Sequence, residues 1–108
     1  MAPVYADLVV MKNGDRITGE IQEIWDNDVV IEPEYDDDTK ITISLDVVAC
    51  MESEREFEVE MTDGRKAIAK LAGRGAGGKQ LIEIDGKRTS ITYDQLEELD
   101  KIDAWSCP

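Results

Sequence analysis

The chain contains no histidine, a single phenylalanine, three prolines and two cysteines, and its 12 Lys plus Arg are outnumbered by 25 Asp plus Glu. Without histidine there is no imidazole to activate a serine or cysteine nucleophile. Cys50 and Cys107 allow one disulfide or two free thiols, but they do not have the paired spacing of a metal site. No window approaches the roughly 18 apolar residues of a membrane-crossing helix. The Met-Ala-Pro start has neither the basic segment nor the apolar core of an export signal, although removal of such a signal would leave a chain of this kind. A net charge of -13 with no Lys/Arg-rich run repels phosphate backbones and makes nucleic acid a poor partner.

What the sequence does hold is a foldable composition: 108 residues, 42% hydrophobic and 34% charged. That length supports one compact domain or two very small ones sharing an interface. Apolar and polar residues alternate in short bursts, the period of half-buried strands, and nowhere with the period and length of a helix. Val4 to Met11 reads as a strand, and Asn13-Gly14 as a hairpin turn, with Asp15 and Arg16 completing it. Ile17, Gly19 and Ile21 share one face of the next strand, and the shift of that face to Ile24 predicts a bulge or bend. Further strands are expected over residues 29–34 and 40–45, with Pro33 at an edge or a strand end.

The second half follows the same plan. Asp63-Gly64, followed by Arg65, stands where Asn13-Gly14 stood. Ile41, Ile43, Leu45, Asp46, Val48 and Met51 align with Thr89, Ile91, Tyr93, Asp94, Leu96 and Leu99 at a constant offset of 48. This predicts an internal duplication: an all-β chain of two tandem, small five-stranded SH3-like or Sm-like barrels, residues 4–53 and 55–103, followed by a tail over 104–108. Short fifth strands are expected near residues 49–52 and 99–102. Asp46 and Asp94 are expected in tight 3₁₀-like turns, accepting backbone N–H groups while Val48 and Leu96 plug the barrels. Residues 1–50 hold 12 acids and 3 bases, and residues 51–108 hold 13 and 9, so most of the net charge belongs to the first unit.

The segment LVVMKNGDRITGEIQEI, followed by VVIEPEY, KITISLDVVACMES and a second TDGR turn, resembles the N-terminal region of certain bacterial envelope proteins. Those proteins carry small Sm-like modules ahead of an outer-membrane barrel domain of uncharacterised function. The resemblance is clearest over residues 7–52 and rests on Asn13, Gly14, Asp15, Arg16, Thr18, Gly19 and Asp46-Val47. It implies the fold and a periplasmic or envelope location, and no known chemistry.

Several constellations invite a functional reading. Gly73-Arg74-Gly75-Ala76-Gly77-Gly78-Lys79-Gln80 matches a phosphate-binding glycine loop until its last position, where a hydroxyl residue is needed and Gln80 instead opens a strand. It is expected to be a hairpin loop, with Gly73, Arg74, Gly75, Gly77, Gly78 and Lys79 as a possible anion- or partner-binding surface. The acids Glu32, Glu34, Asp36, Asp37 and Asp38 lack calcium-loop spacing and read as solvated turn charge, so no metal and no cofactor is expected. Glu52, Glu54, Glu56, Glu58 and Glu60 fall on one strand face, a stripe that deters edge pairing or docks a basic partner. Trp25 and Trp105 are expected to pack; if exposed, Trp25 with Tyr35 or Tyr93 would form an aromatic recognition surface. Together these features predict a non-catalytic protein interaction or assembly module, partnered by another protein or by itself. The alternative is a peptide-binding or regulatory module that uses the aromatic surface or the glycine loop.

Overall fold

The computed structural model describes residues 7–34 and 38–102. Among these residues, alternating apolar positions cut by turn residues give nine strands: β1 Asp7–Met11, β2 Arg16–Trp25, β3 Asp28–Pro33, β4 Ile41–Ser44, β5 Val48–Met61, β6 Lys66–Arg74, β7 Gln80–Ile84, β8 Lys87–Ile91 and β9 Leu96–Lys101. Short 3₁₀ turns at Leu45–Val47, Ala76–Gly78 and Tyr93–Gln95 join some of them. Two of these turns lie where Asp46 and Asp94 had marked them, with Leu45, Val48 and Leu96 buried beside them.

All nine strands belong to one sheet, in the order β4-β3-β2-β1-β5-β6-β7-β8, with β9 bonded to both β2 and β5. This corrects the expectation of two tandem SH3-like or Sm-like barrels and of an internal duplication as the plan of the molecule. Two features overturn it. First, β5 runs unbroken for 14 residues through the expected boundary between the units. Second, β9 pairs with β2, Ile24 opposite Leu99, as well as with β5, Val59 opposite Leu99. The strands β1, β2, β9 and β5 thereby close a four-stranded barrel, each bonded to the next. The other strands extend outside it, β3 and β4 from β2, and β6 to β8 from β5. Val9, Ile21, Ile24, Met51, Phe57 and Leu99 are fully buried in a single continuous core.

Local rules explain how the strands turn and bend. Gly14 and Gly64 each adopt positive φ in four-residue turns of matching design, where Asn13 Oδ1 accepts from Asp15 N at 2.9 Å and Asp63 Oδ1 from Arg65 N at 3.0 Å. The β2–β3 register shifts between Ile21 and Glu23, at the bend the sequence pattern had placed there. Gly19 is needed for close approach, because a Cβ there would lie 2.2 Å from the Glu32 carbonyl oxygen. Among the described residues no helix is long and apolar enough to cross a membrane.

Candidate functional site

Strand β5 is the axis of the molecule, and it is pinned by two buried polar clusters. In the first, Asp7 at the start of β1 is 1% exposed. Its carboxylate accepts from Ile21 N at 2.8 Å, from the Ser53 hydroxyl and from the Arg55 guanidinium. Arg55 also donates to the Ile21 carbonyl at 3.1 Å and lies 5.0 Å from the centre of the Phe57 ring. This knot ties β1, β2 and β5 together where the β5–β6 register shifts between Glu52 and Glu56. Arg55 is the lone base in the acidic run from Glu52 to Glu60, which is the one trace of the knot in the sequence.

The second cluster is neutral. Gln80, 1% exposed, accepts from Met51 N at 2.8 Å and from Tyr93 Oη–H at 2.7 Å, and it donates to the carbonyls of Met51, Leu81 and Gly73. It acts as an extra rung across β5, β7 and the β6 end. Burial, with the nearby Cys50 thiol as a lesser cause, pushes the Tyr93 hydroxyl well above its ordinary pKa, so it stays a donor. Cys50 is itself buried. Cys107, the other half of any disulfide, lies outside the described residues.

Beside the first cluster a wide groove of about 930 Å³ opens where β5 bulges away from β6. Buried Asp7, Ser53 and Leu71 line it together with Arg16, Lys70 and Arg88, and Arg88 pairs with Glu83, also in the lining, at 3.2 Å. On the far half of β5 Glu56 and Glu58 are exposed and Glu60 is half-buried, and the cross-strand neighbours of these glutamates decide their electrostatics. Glu56 lies opposite Lys70 and Glu60 opposite Lys66 on the β6 side, whereas Glu58 faces Asp100 and Glu60 faces Glu98 on the β9 side. A hydrogen bond with Asp100, then burial and the charges of Asp100 and Glu60, raise the Glu98 carboxyl above its ordinary 4.5. Glu20 is shifted the other way, lowered chiefly by the Gln22 side-chain amide, with Lys101 contributing.

The sequence-marked residues do not gather into one site. In the glycine loop, Gly75 N donates to the Lys79 carbonyl at 2.7 Å and Ala76 N to Ser90 Oγ at 3.2 Å; Gly73, Gly77 and Gly78 have positive φ, and the exposed Arg74 and Lys79 flank them. Asp46 accepts from the Asn27 side-chain amide at 3.1 Å, and Asp94 is exposed in the middle of the Tyr93–Gln95 turn, which a Thr92–Gln95 capping box starts. Asn13, Gly14, Asp15 and Arg16 stay at one hairpin, and Asp63, Gly64 and Arg65 at another, where Arg65 N lowers the Asp63 carboxyl. Trp25 is 56% exposed rather than packed. Tyr35, Asp36, Asp37 and Trp105 lie outside the described residues.

Among the described residues, β4 and β8 end the strand path and are bonded on one side only, a choice of edges that the sequence did not specify. Leu45 N donates to the Asn27 carbonyl at 2.9 Å, in register with the β3–β4 ladder. Alternation from that bond turns the backbone N–H and C=O of Thr42 and Ser44 away from β3. At the other end, Asp85-Gly86 forms a two-residue turn with both φ positive, closing on Ile84 opposite Lys87. In such a hairpin the closing pair is hydrogen-bonded, so Arg88 and Ser90 present their backbone groups outward. Comparison of the chain with family models, with curated proteins and with solved structures gives no match.

Proposed function

We propose that the chain is a non-catalytic protein interaction module that takes up a partner strand at an open edge of its sheet. The observation that carries this reading is the pair of outward-facing backbone rows, Thr42 with Ser44 and Arg88 with Ser90, at the two ends of the strand path. Added strands draw affinity from main-chain hydrogen bonds and specificity from alternate side chains, and neither requires a catalytic constellation. The surrounding barrel supports the role, because the Asp7 and Gln80 clusters hold β5 rigidly between the two wings. If the resemblance to envelope proteins holds, the partner is met in the periplasm or at the cell envelope.

A second reading has its own observation: Trp25, 56% exposed at the end of β2, suits an aromatic anchor for a peptide lying across the face of the sheet. Selection from a displayed peptide library, followed by amide exchange of the protein with the selected peptides, separates the two. Protection of Thr42 and Ser44, or of Arg88 and Ser90, is the expected result. Peptides that leave both edges exchanging freely and perturb only the Trp25 region would overturn the edge reading in favour of the second.

A further inference from the structure

The two open edges differ in their electrostatic surroundings. Around β4, the β3 strand and the flanking turns hold Asp26, Asp28, Glu32, Glu34, Asp38 and Asp46 against the single base Lys40. Around β8 the balance reverses: residues 74–92 hold four bases, Arg74, Lys79, Lys87 and Arg88, against Glu83 and Asp85. In a chain with net charge -13 this is a local excess of positive charge at one end of the strand path, facing the opposite excess at the other end.

Resting on the edge reading, we infer that the partner strand belongs to a second copy of this chain, with β8 of one molecule pairing with β4 of the next. Charges on edge strands normally deter association. Here they sort it. Two β8 edges would set Lys87 and Arg88 against the same pair, and two β4 edges would bring acid-rich surfaces together, so like edges repel. The unlike pair brings basic β8 to β4, whose Ile41, Thr42, Ile43 and Ser44 carry no charge and whose neighbours are acids. Each edge offers a short row, Thr42 and Ser44 on one side and Arg88 and Ser90 on the other, so one contact is weak and reversible. A β4-to-β8 contact is head-to-tail, and each added molecule presents a fresh β4 or β8, so assembly proceeds to chains or closed rings instead of stopping at a dimer.

The test is sedimentation velocity of the full chain up to about 1 mM, with two variants that remove one outward N–H each while leaving the inner ladder intact: Thr42→Pro on β4 and Arg88→Pro on β8. The wild type is expected to show species larger than a dimer that grow with concentration. Each proline variant alone is expected to remain monomeric, because it has only one usable edge. An equimolar mixture is expected to give a 1:1 dimer and nothing larger. Wild type that stays monomeric, a single variant that assembles as the wild type does, or a mixture that stays monomeric although both variants are folded, each overturns the proposal. If either proline variant is unfolded by circular dichroism, the double variant Lys87→Glu/Arg88→Glu decides instead, since both side chains are exposed. Its self-association is expected to weaken by about tenfold, and an unchanged mass distribution overturns the proposal. A monomeric wild type whose edges still capture selected peptides would defeat self-assembly and leave the interaction reading standing.

Discussion

The two clusters that pin β5 perform the same mechanical task with opposite electrostatics. Asp7 and Arg55 bring a charge pair into the interior, with Asp7 1% exposed and the Arg55 side chain 16% exposed. Gln80 achieves a comparable crossing with a neutral amide that fills its acceptor and donor positions with Met51, Tyr93, Gly73 and Leu81. A buried pair gains little over an apolar replacement but costs heavily when one partner is removed, whereas a neutral amide costs only what its unpaired partners lose. The charged knot therefore acts as a lock on the β1–β2–β5 junction, and the neutral one as a strut beneath β7.

The largest effect is expected from Arg55→Met, which takes the guanidinium away from the Phe57 ring and strands the Asp7 carboxylate without a cation. A loss of about 3–5 kcal/mol is expected in urea unfolding. Asp7→Asn in the same background should recover much of that loss, since the asparagine oxygen still accepts from Ile21 N. If the double variant is no more stable than the single one, the penalty is lost packing and not stranded charge.

Gln80→Leu should cost less, about 2–4 kcal/mol, because it leaves the Met51 N–H and C=O unpaired but no charge behind. Tyr93→Phe should cost about 1 kcal/mol, since Gln80 loses one donor and keeps the Met51 rung. An Arg55→Met effect smaller than that of Gln80→Leu would reverse the ranking and show that the charged knot is solvated in solution.

Much of the local structure was legible in the sequence, and the reasons are local. Asn13-Gly14 and Asp63-Gly64 turn because those residue types accept positive φ, and alternation marks β2, β3 and β7 wherever one face is buried. The continuity of β5 was not legible, because its inward residues slip phase. Cys50 and Met51 are both buried, and the inward set resumes at Ser53 and then Phe57 after the bulge near Arg55. Two barrels were expected because matching positions recur at an offset of 48, a repetition that does not say whether one strand runs through the join. The closing role of β9 depends on partners more than 70 residues away in β2, and no local pattern encodes that choice. Gln80 reads as an ordinary strand opening, because its burial is set by Met51, 29 residues earlier. Trp25 was expected to pack at the bent end of its strand, yet it ends β2 exposed while its neighbour Ile24 fills the core.

The exposed half of β5 supplies the smallest and most informative contrast with the buried knot. Glu98 sits among Asp100 and Glu60, and its pKa is raised above the ordinary 4.5, first through the hydrogen bond with Asp100 and then through like charge. A carboxyl raised in the folded state contributes stability that is fully present below its unfolded pKa and is lost as pH rises through the folded value. Glu20, lowered by Gln22, has the opposite sign and contributes stability above its unfolded pKa that is lost as pH falls. Replacing Glu98 by Gln removes a charge from the crowded set and supplies an amide that can donate to Asp100 without a bound proton. The variant should match the wild type in thermal midpoint near pH 4 and exceed it increasingly as pH rises through the carboxylate range to neutrality. A constant difference between the two curves would show that the gain comes from helping the β5–β9 ladder generally, and that the β9 acids repel no more strongly than solvated charges elsewhere on the sheet.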